Sequence, residues 1–215
     1  MSGFEIGALF EGIKLVLSAV GIPQARRQAF FKDHVTPSYE LLGRIHRDYI
    51  AKFQEAAALL EERGDVRKVV ELLRIERPRN LMDRTEAATL IKGLRDHVMP
   101  QNPFPKSSKK PSEFKQLFSM YVFAYEHYLN SASPLDPVKS ETWYSYFIRT
   151  FEKAVNDGKD PYKETYSGRA GGDRIIDDAA EILFRAVNDV MPDSFKKVQK
   201  CYSDLRSHLA PKLGL

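Results

Sequence analysis

Arginine is the side chain in this sequence best placed to do chemistry. The stretch RIERPRNLMDRTEA, Arg74 to Ala87, carries Arg74, Arg77, Arg79 and Arg84 against Glu76, Asp83 and Glu86. A guanidinium is a planar fork of donors that matches phosphate and carboxylate oxygens. The cluster is therefore a candidate anion or nucleic-acid contact. Its own acids neutralise much of its charge, so an internal ion-pair network is the preferred reading. Lys106, Lys109 and Lys110, in KSSKK, form a second basic group. So few charges would give only weak, salt-sensitive contacts with a phosphate backbone. A third group, SGRAGGDR, places Arg169 and Arg174 at an expected helix start, where backbone amides favour anions. It matches neither glycine-rich phosphate-loop pattern, and Asp173 would compete with a bound phosphate.

Catalytic constellations are weaker. His46–Arg47–Asp48 spells the tripeptide of a protein-kinase catalytic loop, but it sits inside a helical pattern with no Asn at the required place. Cys201, Asp204 and His208 project to one flank of the last helix. The seven-residue step from Cys201 to His208 spans about 10 Å along the axis, beyond hydrogen-bond reach. A structural cysteine beside an Asp204–His208 contact is the expectation. No His has Glu three residues before it, and there is no His-Glu-x-x-His and no cysteine pair. No catalytic residue, metal site or cofactor is expected.

These residues must be positioned by helices. Apolar side chains recur every three to four residues along most of the chain, while strand-like alternation is nearly absent. Ile6 to Val20 forms one amphipathic stripe, and a short helix follows from Pro23 to Lys32. Thr36 and Pro37 read as the cap and first residue of a long helix ending at Gly64, with Leu42, Ile45, Tyr49, Phe53, Ala56 and Leu60 inward. A helix after Asp65 is expected to stop at Pro78, and Asn80 to cap the next, which runs to about His97. In that reading Arg77 and Asp83 meet across the corner. Ser112 starts a helix with Phe114, Phe118, Tyr121, Tyr125 and Tyr128 on one face. Ser140 caps the next, Asp173 caps another through Val190, and Pro192 separates off the last. The fold class expected is all-α, an irregular bundle of eight or nine helices. PQNPFPKSSKKP, residues 100–111, would divide it into an N-terminal lobe, 1–99, and an aromatic-rich lobe, 112–215.

Composition narrows the class of protein. With 215 residues the chain can bury a sizeable core without metal or disulfide. The single cysteine excludes a disulfide-built scaffold. No apolar run reaches the roughly 18 residues of a membrane span. Residues 1–20 lack the positive n-region of a signal peptide, so the cytoplasm is the expected compartment. Net charge is +4, with 16 basic and 14 acidic residues in 1–100 and 17 and 15 thereafter. That even spread is unlike the one-sided charge of most nucleic-acid binders.

Fourteen of the 24 aromatic residues lie between Phe104 and Tyr166, which calls for either a heavy core or a sticky face. Tyr121, Tyr125 and Tyr128 are candidates for a partner surface, with core packing the commoner role. Phe123, on the opposite side of the same helix, is the sharper clue. The functional expectation is a non-catalytic helical protein acting through an apolar-aromatic surface on another protein or on a second copy of itself. Next come a nucleic-acid backbone binder using the Arg and Lys clusters, and a helical phosphate or nucleotide sensor or enzyme.

Overall fold

The computed structural model of the chain describes residues 24–63, 66–98, 112–130, 142–157 and 180–209. There is no strand among the described residues, in keeping with an all-α chain. Helix α1 (Gln24–Phe30) passes through a π turn, Phe31–Val35, into α2 (Thr36–Arg63). Then come α3 (Val66–Val98), α4 (Glu113–Asn130) and α5 (Trp143–Asp157). Residues 180–185 pass through a second π turn, Ala186–Val190, into α6 (Met191–Leu209). The expected helix at 6–20, the 100–111 linker, and the breaks or caps at Gly64, Asp65, Ser140 and Asp173 lie outside the described residues.

Among the described residues these segments make five continuous rods, which corrects the expectation of eight or nine helices. Three expected breaks do not occur. Pro78 lies inside α3 rather than at a corner. Proline removes an amide hydrogen and crowds the carbonyl four residues back, at about 3 kcal/mol in a helix interior. Both Pro78 and Arg74, whose carbonyl loses its partner, are on the exposed side, where water can replace the lost bond. On the other side Val66, Leu73, Asn80, Ala87 and Leu94 are all buried. Their seven-residue spacing keeps one face inward straight through the proline. Burial of each large apolar side chain stabilises by roughly 1.5–3 kcal/mol, which outweighs the local cost. Asn80 is therefore a buried mid-helix residue and not a cap. Arg77 and Asp83 lie six residues apart on one rod, about 9 Å along its axis, and no ion pair joins them.

The other two missing breaks share a device. Each π turn ends two residues before a proline, Pro37 in one case and Pro192 in the other. The amide of Thr36 reaches back to the Phe31 carbonyl, and that of Met191 to Ala186, in five-residue steps. The wider turn makes room where the pyrrolidine ring would crowd a regular helix. Thr36 has helical backbone angles, so it is not a cap. Ser112 does start α4, since its carbonyl accepts the Gln116 amide at 3.1 Å.

The chain falls into two compact units. One takes its residues from 1–43, 85–127 and 196–215, the other from 44–84 and 128–195. Each unit thus draws on residues before and after 100–111. The core of the first is aromatic: Phe30 packs on Phe118 with centroids 5.7 Å apart, and Tyr39 stacks on Tyr202 at 4.0 Å. Ser38 is its polar centre. Its hydroxyl donates to the Val35 carbonyl at 2.7 Å and lies 2.9 Å from the Tyr121 hydroxyl, while Tyr125 donates to the Ser38 carbonyl at 3.0 Å. In the second unit Phe53 packs on Tyr144 and Phe147, with centroids 5.0 and 5.3 Å away.

Two stability measurements follow. Pro78→Ala is expected to raise the urea midpoint, by about 1–2 kcal/mol in stability, because it restores an amide donor to the helix interior; an unchanged midpoint would mean that the helix does not continue there. Ser38→Ala is expected to cost about 1–3 kcal/mol by stranding the Tyr121 hydroxyl. Adding Tyr121→Phe should then cost less than the two single changes summed, as read in a double-mutant cycle.

Candidate functional site

The helices give the arginine cluster different fates. Arg74 and Glu76 project from α3, but they are engaged. Arg74 holds Glu152 of α5, with Nη2 2.6 Å and Nε 2.9 Å from Oε1. Glu76 holds Lys52 of α2 at 3.2 Å. Arg84 donates from Nη1 to the Tyr49 hydroxyl at 2.7 Å and from Nη2 to the Leu129 carbonyl. Arg77 and Arg79 are exposed and form no ion pair among the described residues. The sequence-level cluster is therefore split between anchored and solvent-facing members. Lys106, Lys109, Lys110, Arg169 and Arg174 lie outside the described residues.

One concavity of the second unit runs between α3 and α5. It is a groove of about 700 Å³ lined by Arg67, Val70, Glu71, Arg74, Ile75, Glu152, Val155 and Asn156. Valines and Ile75, itself 66% exposed, give it apolar ground. Two arginines and two glutamates balance its charge, so it offers no net pull on a small anion. Among the described residues its lining holds no hydroxyl, thiol or imidazole.

Tyr121, Tyr125 and Tyr128 are buried, and burial pushes all three phenols well above their ordinary pKa. Their hydroxyls bond to Ser38, to its carbonyl and to His46 Nδ1 respectively. They do core work and offer no surface to a partner, because ring area already packed inside cannot be presented outside as well. Phe123 differs. It is 73% exposed and stacks on His127, centroids 6.3 Å apart, with Met120 one turn before it 55% exposed.

The nucleophile candidates are accounted for by packing. His46 stacks on Phe195 at 4.2 Å and lies 2.8 Å from the Tyr128 hydroxyl. Burial, with help from Arg47, pushes its pKa down to about 4. Burial and then Asp204 push the Cys201 thiol up, the opposite of what a thiolate nucleophile needs. The expected Asp204–His208 contact is not formed; His208 Nδ1 lies 3.5 Å from Glu113. Among the described residues no His, Cys, Asp and Glu side chains gather as a metal-ligand set, and no helix is long and apolar enough to cross a membrane.

What residue patterning missed was the company of Arg77 and Arg84. On α3 they share a face with Asn80 and Leu81. Together these line a small pocket with Thr142, Tyr144 and Ser145 from the start of α5. Thr142 caps α5: its Oγ1 accepts the Ser145 amide at 3.1 Å. The Ser/Thr content of residues 140–145 was the available signal, but the cap falls at Thr142 and the expected Ser140 lies outside the described residues.

His46 gives a pH prediction. Its folded pKa lies below the unfolded value near 6.5, so the unfolded chain binds more protons between those values. Its contribution is complete above about pH 6.5 and is lost as pH falls toward 4. After allowance for solvent screening the loss is about 1–2 kcal/mol. Urea midpoints at pH 7.5 and 4.5 for the wild type and His46→Phe should show a smaller decline in the variant. Compared with protein-family models, curated proteins and solved structures, the chain matches none.

Proposed function

We propose that the protein is a non-catalytic helical interaction protein, acting on another protein in the cytoplasm through an apolar-aromatic helix surface. One observation carries this reading: Met120 and Phe123, one turn apart on α4, are exposed while the aromatic residues on the other side of that helix are buried. Large apolar rings at the centre of a solvent-facing patch are the usual anchors of protein interfaces. His127 extends the patch by stacking on Phe123. The groove beside Ile75 is a second surface of mixed character. The nucleic-acid reading is weakened by the commitment of Arg74 and Arg84 to intramolecular partners.

The test is a tagged pull-down of the full chain, with and without nuclease, comparing wild type and Phe123→Asp. Because Phe123 is exposed, the variant should unfold within about 0.5 kcal/mol of wild type. A nuclease-resistant protein partner should be lost or weakened at least tenfold, the size expected of an interface anchor. Equal recovery by both chains, or recovery of nucleic acid alone, would overturn the proposal.

A further inference from the structure

We propose that the small pocket between α3 and the start of α5 binds an oxyanion of the phosphate class, either free phosphate or the monoester group of a small metabolite. The pocket is lined by Arg77, Asn80, Leu81, Arg84, Thr142, Tyr144 and Ser145. Among the described residues its lining carries two guanidiniums and no carboxylate, in contrast to the charge-balanced groove nearer the start of α3.

Four features point to an anion. The first is Asn80, only 6% exposed, whose Nδ2 is buried without a hydrogen-bond acceptor. A buried amide donor left unpaired is costly, and a ligand oxygen would satisfy it. The second is the α5 N-terminus. The first backbone bond of that helix runs from the Tyr146 amide to the Thr142 carbonyl at 2.9 Å, so the amides of Trp143 and Tyr144 have no acceptor within the helix. The third is Arg84, tethered to Tyr49 and Leu129 and left with N–H donors to spare. A guanidinium held by its neighbours loses little further freedom on binding. The fourth is hydroxyl polarity. Thr142 Oγ1 donates to Ser145 Oγ at 2.9 Å, which leaves the Ser145 hydrogen free to turn to a ligand.

The pocket has room of about 30 Å³, enough for one or two water-sized groups. It accepts one or two oxygens of a phosphate, with the remainder at the mouth beside the exposed Arg77. A lone water could satisfy Asn80, but it would make no use of the two positive charges. Neither Glu76 nor Asp48 lines the pocket.

The test is calorimetric and thermal titration of the full chain with inorganic phosphate and with glycerol 3-phosphate, against sodium chloride of matched ionic strength. Saturable binding and a rise in Tm beyond the chloride control are expected. Tighter binding of the ester would assign a metabolite, and equal or tighter binding of phosphate the free ion. Arg77→Gln, at an exposed position, should fold normally and bind at least tenfold more weakly. Asn80→Asp, which puts a carboxylate where the amide stood, should abolish binding. Arg67→Gln, in the other groove, should bind as wild type does. If Asn80→Asp fails to fold by circular dichroism, Arg77→Gln decides alone. No Tm rise beyond chloride, or equal binding by wild type and Arg77→Gln, overturns the proposal and leaves the pocket to an ordered water.

Discussion

The core depends on giving buried phenols something to bond. Tyr49, Tyr121, Tyr125 and Tyr128 are buried, and a hydroxyl taken out of water without a partner costs free energy comparable to a lost hydrogen bond. Each has its answer: Arg84 for Tyr49, the Ser38 hydroxyl for Tyr121, the Ser38 carbonyl for Tyr125 and His46 for Tyr128. A phenol reaches its partner only at one rotation and height of its helix. These bonds therefore fix how α2 lies against α4, and at Tyr49 against α3, within each unit, where greasy contact alone would tolerate sliding.

That requirement explains residues that would otherwise look functional. His46 belongs to a kinase-like tripeptide, yet it is a neutral ring stacked on Phe195 and bonded to a phenol. Arg84 belongs to a charged cluster, yet two of its donors serve Tyr49 and Leu129. The same two bonds hold Arg84 in place in the pocket it shares with Asn80, with its remaining N–H donors available to the anion proposed there.

The helices are longer than their prolines suggest. Pro37 and Pro192 follow π turns, and Pro78 sits on the solvent side of a helix whose opposite face is buried without interruption. In each case a local penalty of a few kcal/mol is offset by a buried stripe that stays in phase across the proline. The result is long rods whose exposed sides carry the surplus apolar residues, Ile75 and Met82 on α3, and Met120 and Phe123 on α4.

Helical character was written into the order of residues, because a repeat of three to four positions is a property of neighbours and needs no distant contact to be read. Leu42, Ile45, Tyr49, Phe53 and Ala56 were legible as inward, and Phe123 as facing away from Tyr121 and Tyr125. The continuity of α3 was present in the seven-residue series from Val66 to Leu94, but proline chemistry argued locally for a break, and long-range burial overruled it. The pairings were not legible at all. Thr36 meets Tyr202 across 166 positions, and Arg77 and Arg84 share a pocket with Thr142 and Ser145 from a different helix. Such meetings follow from how separate rods dock and rotate, a free energy spread over many weak contacts, so no short stretch of residues contains them.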